Sequence, residues 1–226
     1  VKELIFQPEG MQVPVLTIKN LTIKAGEKVG IVGSVGSGKS TFLKLISGVL
    51  TPTSGRVSYG AFDTTAINQA DLRSSVSYMG QDAGIFSGTF RENLTFGNES
   101  ITDDKIVHAM EVTGFSSVIQ KFPNGLSFVI SENGQELSGG QKQILSLTRS
   151  VLLDPTFVIY DEPTSAMDPR HENLFVKKMS SFLEKKTFIV VTHRRPILAL
   201  TERLIVIENG AILLDGKRDD VLAKFR

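Results

Sequence analysis

The residues Gly33-Ser34-Val35-Gly36-Ser37-Gly38-Lys39-Ser40 have the types and the spacing of a phosphate cradle, G-x-x-x-x-G-K-[ST]. Glycines let successive backbone N–H groups close around phosphate oxygens, and a helix start behind them adds partial positive charge. Lys39 has the reach for β and γ phosphates, and the Ser40 hydroxyl can ligate Mg²⁺. A second group is Phe157-Val158-Ile159-Tyr160-Asp161-Glu162, an apolar run that ends in two carboxylates. Alone, acidic residues ahead of Pro163 would simply mark a solvated strand end. Beside a phosphate cradle they read as a pair: Asp161 to hold Mg²⁺, commonly through its water shell, and Glu162 to orient and polarise an attacking water. A third group, Leu137-Ser138-Gly139-Gly140-Gln141, opens another helix with two glycines. Ser138 can cap it and offer its hydroxyl, and the N–H groups of Gly139, Gly140 and Gln141 form a second anion site. Taken by itself this stretch reads equally as an ordinary helix cap. One nucleotide does not need two such sites, and the economical arrangement is a two-fold dimer in which this helix start faces the γ-phosphate held by the other subunit.

The elements that must position these groups follow from periodicity. Short β-type runs at Glu3–Phe6, Val15–Ile18, Leu21–Lys24 and Lys28–Val32 open the chain, with a turn at Ala25-Gly26-Glu27. The spacing then predicts a helix over Lys39–Leu50, with Phe42, Leu43, Leu45, Ile46 and Val49 on one apolar face. Val76–Met79, Phe157–Tyr160 and Thr187–Val191 read as strands, the last two nearly all apolar as buried parallel strands are. Between about Arg91 and Leu153 helical patterns dominate, at Asp103–Val112 and Ile144–Leu152. Leu204–Ile207 and Ala211–Leu214 around Asn209-Gly210 predict a β-hairpin. The fold class is α/β.

Composition narrows the function classes. The chain has 226 residues, 41% of them hydrophobic, enough for one sizeable core with a smaller satellite. Lys plus Arg is 25 against 24 for Asp plus Glu, so no net field draws it to nucleic acid or acidic lipid. Cysteine is absent, which excludes disulfides and thiolate metal sites. Neither a membrane-spanning apolar run nor an export leader is visible, and a soluble, cytosolic-type domain is expected.

Together these residues resemble the nucleotide-binding domain of an ATP-binding cassette (ABC) transporter over essentially the whole chain. Gly33, Ser34, Val35, Gly36, Ser37, Gly38, Lys39, Ser40 and Thr41 then correspond to the P-loop, Asp161 and Glu162 to the Walker-B end, and Leu137 to Gln141 to the signature sequence. The resemblance also makes Gln81, in YMGQD, the Q-loop glutamine that senses Mg²⁺ and the membrane domain. Ser165, Ala166, Met167 and Asp168 become the D-loop, and His193 the switch histidine that contacts the γ-phosphate. It implies a P-loop NTPase core with a mostly parallel sheet, an N-terminal antiparallel β subdomain and a helical insert. That is a single ABC ATPase domain over 1–226, with 1–90 and 154–226 as β-rich core and about 91–153 as the helical subdomain.

The implied activity is Mg-ATP hydrolysis in a head-to-tail dimer with a second nucleotide-binding domain, as a homodimer. It would drive transmembrane domains of an exporter from the cytoplasmic face of the inner (plasma) membrane. The stretch DLRSSVSYMGQDAGIFSGTFRENLTFG at 71–97 resembles exporter cassettes, and PTSAMDPR with VVTHRRPILALTERLIVIENG is similar to type I secretion exporters. Exporters of lipids, peptides or drugs, or a soluble non-transport cassette, are the alternatives. A DNA-repair cassette is disfavoured, because only about a hundred residues separate Lys39 from Leu137 and no sustained heptads fill them. One departure stands out: exporters carry an aromatic residue before proline that stacks on adenine, whereas this chain reads LIFQPEG. Phe6 is the nearest candidate, with Gln7 in the expected neighbourhood, and Phe6 reads equally as a strand core residue.

Overall fold

The computed structural model describes residues 1–81 and 84–224; Asp82 and Ala83, inside the exporter-like stretch, lie outside them. The chain divides into two compact units. The first is Val1–Tyr78 with Thr156–Glu162 and Lys185–Arg226, and the second is Met79–Pro155 with Pro163–Glu184.

The two larger sheets of the first unit are built from β1 (Lys2–Phe6), β2 (Leu16–Asn20), β3 (Lys28–Val32), β4 (Ser54–Arg56), β5 (Val76–Met79), β6 (Phe157–Asp161), β7 (Thr187–Val191), β8 (Arg203–Glu208) and β9 (Ala211–Lys217). They form an antiparallel sheet in the order β2-β1-β4 and a six-stranded sheet in the order β9-β8-β3-β7-β6-β5. Within the larger sheet β8, β3, β7 and β6 are mutually parallel, and β9 closes it as the antiparallel arm of the hairpin. Residues 21–24 are not a strand, and β4 takes the place beside β1. The backbone of Lys24 is committed to a turn: its N–H donates to the Glu27 carboxylate at 2.8 Å and its carbonyl accepts from the Glu27 N–H at 3.1 Å. A ladder has nothing left there to pair with.

Helix α1 (Lys39–Ile46) ends earlier than its apolar periodicity predicts. Gly48 adopts φ +75°, and the N–H groups of Val49 and Leu50 both fold back onto the Lys44 carbonyl, a left-handed cap that stops the helix. Its apolar face is buried: Phe42, Leu43, Leu45 and Ile46 join Val29, Ile31, Ile159, Ile189 and Ile205 in one core. At about 25 cal/mol per Å² of apolar surface, each such side chain contributes on the order of 1.5–3 kcal/mol. That burial presses α1, and the loop before it, onto the sheet.

The second unit is built on helices α2 (Phe90–Thr95), α3 (Asp103–Thr113), α4 (Gly139–Leu152) and α5 (Pro169–Phe182). α4 packs against α2 and α3, and α3 against α5, which draws 163–184 into this unit along with the helices that precede β6. Its centre is aromatic. Phe90 is fully buried, with the rings of Phe115, Phe122 and Phe128 at centroid distances of 5.5, 5.1 and 5.8 Å. Beside it Arg149 of α4 is buried; its guanidinium donates to the carbonyls of Asn93 and Gly84, at 2.6 Å each, and to Asn93 Oδ1 at 2.9 Å. It also lies 4.8 Å from the Phe96 ring centroid and 5.7 Å from that of Phe86. Burial pushes its pKa down to about 10, which still leaves it charged at neutral pH.

Phe90→Ala should therefore cost the second unit about 3–5 kcal/mol. Urea denaturation followed by far-ultraviolet circular dichroism should show an earlier transition in helical signal; an unchanged midpoint would mean that the aromatic cluster is not what holds these helices.

Candidate functional site

The P-loop occupies the turn between β3 and α1, and two of its glycines are dictated by close approach. Gly33 adopts φ +149°, and a Cβ there would sit 2.0 Å from the Ile207 carbonyl oxygen. Gly38, at φ +98°, would drive a Cβ to 2.9 Å from the Leu16 side chain. Among the described residues no side chain caps α1, so the N–H groups of its first turn are left for other acceptors. Lys39 is buried, and its ammonium donates to the carbonyls of Gly33 at 2.9 Å and Ser34 at 2.6 Å. These are the loop's own oxygens.

β6 delivers Asp161 and Glu162. Asp161 is 1% exposed, and its Oδ1 has no hydrogen-bond partner among the described residues. A buried carboxylate oxygen left unpaired costs free energy unless a cation or its water shell meets it. With the Ser40 hydroxyl at the head of α1, an all-oxygen donor set suits a hard cation, so these residues fit Mg²⁺.

Glu162 follows at φ +49°, a left-handed conformation costly for a side chain of this size and typical of sites that re-aim a group. Its N–H is fixed to the Val191 carbonyl at 2.8 Å. The Thr192 hydroxyl donates to Glu162 Oε2 at 3.1 Å, and His193 Nε2 stands 3.8 Å from Oε1. Burial pushes the Glu162 pKa up, and the charge of Asp161 adds to the rise. The Thr192 hydrogen bond and His193 oppose it. The first unit thus brings P-loop, Asp161, Glu162 and His193 to the carboxyl ends of its parallel strands.

In the second unit, Gln81 and the starts of the signature helix and the D-loop line one open cavity of about 480 Å³, with Gly139, Ser165 and Ala166 among its walls. Ser138 and Gln141 form a reciprocal cap: the Gln141 N–H donates to Ser138 Oγ at 3.3 Å, and the Ser138 N–H to Gln141 Oε1 at 2.8 Å. The N–H groups of Gly139 and Gly140 stay at the helix end, and the Ser138 hydroxyl, accepting there, retains its own proton to donate. Leu137 is buried behind the cap. Asp168 caps α5 through the N–H groups of Arg170 and His171 and also contacts the His171 ring. Those bonds, led by His171, hold its carboxyl below the usual range.

Sequence reasoning missed Gln143. Its side-chain amide donates to Ser165 Oγ and accepts from the Ala166 N–H, both at 3.0 Å, tying the signature helix to the D-loop. The available signal was a polar residue two past Gln141 on a face otherwise turned inward. Phe6, the proposed base contact, is half-buried on β1, two residues from the fully buried Leu4, and its ring packs on the core.

A family model described as ABC transporter matches residues 16–165. Among curated proteins, the chain is 36% identical over 214 residues to the mesentericin-Y105 transport/processing ATP-binding protein MesD of Leuconostoc mesenteroides, covering 94% of this chain and 29% of that protein. It is 34% identical over 219 residues to a putative multidrug export ATP-binding/permease protein of Staphylococcus aureus, covering 97% and 38%. Among solved structures, that of a bacterial Atm1-family ABC exporter with ATP bound superposes with a TM-score of 0.90 at 26% identity, over all of this chain and 39% of that one. The chain spans about a third of the length of these relatives. It belongs to the ABC transporter family and has the fold of that family's ATP-binding domain.

Proposed function

We propose that this domain hydrolyses Mg-ATP at two composite sites of a head-to-tail homodimer and so powers export across a membrane, standing at its cytoplasmic face against transmembrane domains. The observation that carries the proposal is the buried oxygen of Asp161, unpartnered among the described residues, beside the left-handed Glu162, both at the strand ends that hold the P-loop. The loop Gly33 to Thr41 binds the phosphates through backbone N–H groups other than that of Ser34, which Glu208 holds, and Lys39 exchanges its carbonyl partners for β and γ oxygens. Ser40 and Asp161 would hold Mg²⁺, which when bound offsets phosphate charge, and Gln81 is proposed as the Q-loop glutamine that senses it.

Glu162 accepts a proton from water as the water oxygen bonds to the γ-phosphorus and the bond to ADP breaks. His193 donates to the γ-phosphate, and Leu137 to Gln141 of the other subunit close the site, with Ser165 to Asp168 at the junction. Phe6 is the candidate for contact with the base. The 36% identity to MesD, whose name joins transport with processing, supports a type I secretion reading, and the 34% identity to the multidrug export protein supports export of drugs as the alternative.

Glu162→Gln keeps shape but removes the proton acceptor. ATP should still bind, while turnover falls by about 10²–10⁴-fold and a nucleotide-trapped dimer emerges on size-exclusion chromatography; wild-type turnover would end the assignment.

A pH profile probes the same carboxylate. A hydrogen bond to the charged form lowers a carboxyl pKa, so Thr192→Val should raise that of Glu162 further. The acid limb of kcat against pH should then move to higher pH, and a limb that stays or moves down contradicts Glu162 as the base.

Composite sites can be tested by mixing. Gly139→Asp puts a carboxylate where the partner's phosphate would lie, so ATP binding by the monomer should survive while dimerisation and hydrolysis fail. Mixed with Lys39→Ala, it forms a pair with one doubly damaged and one intact site, and ATP-dependent heterodimers should appear by mass photometry of size-tagged subunits. Loss of monomer ATP binding in Gly139→Asp alone would place the signature on its own subunit's nucleotide.

A further inference from the structure

Beyond the residues that would touch nucleotide, the P-loop is gripped from behind by the turn of the β8–β9 hairpin. Glu208, the last residue of β8, accepts two bonds from Ser34: from its N–H at 2.7 Å and from its hydroxyl at 2.5 Å. Two residues on, the Gly210 N–H donates to the Ser37 carbonyl at 3.1 Å, and the Gly210 carbonyl accepts from the Thr17 N–H at 2.7 Å. Asn209 and Gly210 have φ of +49° and +76°, the left-handed pair of a tight hairpin turn. The turn is wedged so closely that a Cβ on Gly210 would lie 2.5 Å from the Val15 carbonyl oxygen. The P-loop is thus held at Ser34 and Ser37 by one hairpin that is itself pinned to β2.

We propose that Glu208 is a positioning residue for the phosphate site, fixing Ser34 and through it the mouth of the P-loop. The proposal rests on the reading of Gly33–Thr41 as that site. Ser34 is the hinge of the device: its N–H and hydroxyl go to Glu208 while its carbonyl accepts from Lys39. Releasing Ser34 from the hairpin frees the carbonyl that Lys39 leans on, and with it the starting position of the ammonium. The two bonds and the charge of Lys39 also hold the Glu208 carboxyl below its usual range, as expected of an acceptor in its ionised form. Glu208 and Glu162 differ in role: Glu208 shapes binding, and the proton transfer proceeds without it.

The bond pattern makes the test specific. Glutamine at 208 can still accept from the Ser34 N–H, and the Ser34 hydroxyl can rotate to accept from the new amide, so both bonds survive without the charge. Alanine loses both. ATP and ADP titrations by isothermal calorimetry, with steady-state hydrolysis alongside, should show Glu208→Ala weakening both nucleotides and raising KM about tenfold, with kcat within twofold of wild type. Glu208→Gln should restore most of the affinity. Ser34→Ala, which keeps the backbone bond, should fall between and covers the case in which Glu208→Ala does not fold. Unchanged affinity in Glu208→Ala, a glutamine variant as weak as the alanine one, or a loss in kcat with KM unmoved would each overturn the proposal. If the wild-type domain bound neither nucleotide, the phosphate-site reading would fall and this inference with it; if wild type binds and Glu208→Ala binds equally, the inference alone falls.

Discussion

Parallel pairing of β3, β7 and β6 is the constraint on which the rest of the first unit depends. In register, Ile31 lies beside Val191 and Val191 beside Asp161, so three strands end along one edge. Each then releases a different group there: β3 the P-loop, β7 Thr192 and His193, β6 the two carboxylates. A one-residue slip of any strand would turn its last side chain to the opposite face and dissolve the arrangement. β6 and β7 are apolar apart from Asp161 and Thr187 and are buried along both faces.

The second unit solves a different problem, that of holding a helix start open. A helix end is an anion site only while its N–H groups remain unspent. The Ser138–Gln141 cap spends one N–H of the first turn and locks the geometry of the rest. Gln143 then fixes the same turn against Ser165 and Ala166, and Arg149 fastens the far end of the helix to the carbonyls of Gly84 and Asn93. Polar side chains do the anchoring at both ends, while the buried aromatic cluster around Phe90 supplies the bulk of the packing.

What was legible in the sequence was whatever is encoded locally. The P-loop announces itself because its glycines, lysine and hydroxyl are consecutive, and β6 and β7 because two-sided burial forces an unbroken apolar run. The Asn209-Gly210 turn was equally plain. Residues 21–24 misled because a β-like composition cannot reveal that Glu27 has captured the backbone of Lys24. The overlong α1 came from apolar periodicity that continues past a glycine whose left-handed conformation stops the helix. Gln143 and Glu208 were invisible for a related reason: each matters through hydrogen bonds to residues 22 and 174 positions away, and no short motif contains such a pair. Phe6 was ambiguous in sequence, and its ring lies against the core.

The two signature glycines are alike in sequence but not in what they report. A Cβ on Gly140 would lie 2.8 Å from the Ala166 carbonyl oxygen, whereas one on Gly139 would make an ordinary contact at 3.6 Å with the Ala166 methyl. Any side chain at 140 therefore displaces the D-loop before it can meet a phosphate. A defect produced there says nothing about nucleotide recognition, and a glycine-to-alanine scan of this motif would assign to ligand contact an effect that belongs to packing. Position 139 is the one of the two where a substitution interrogates the ligand.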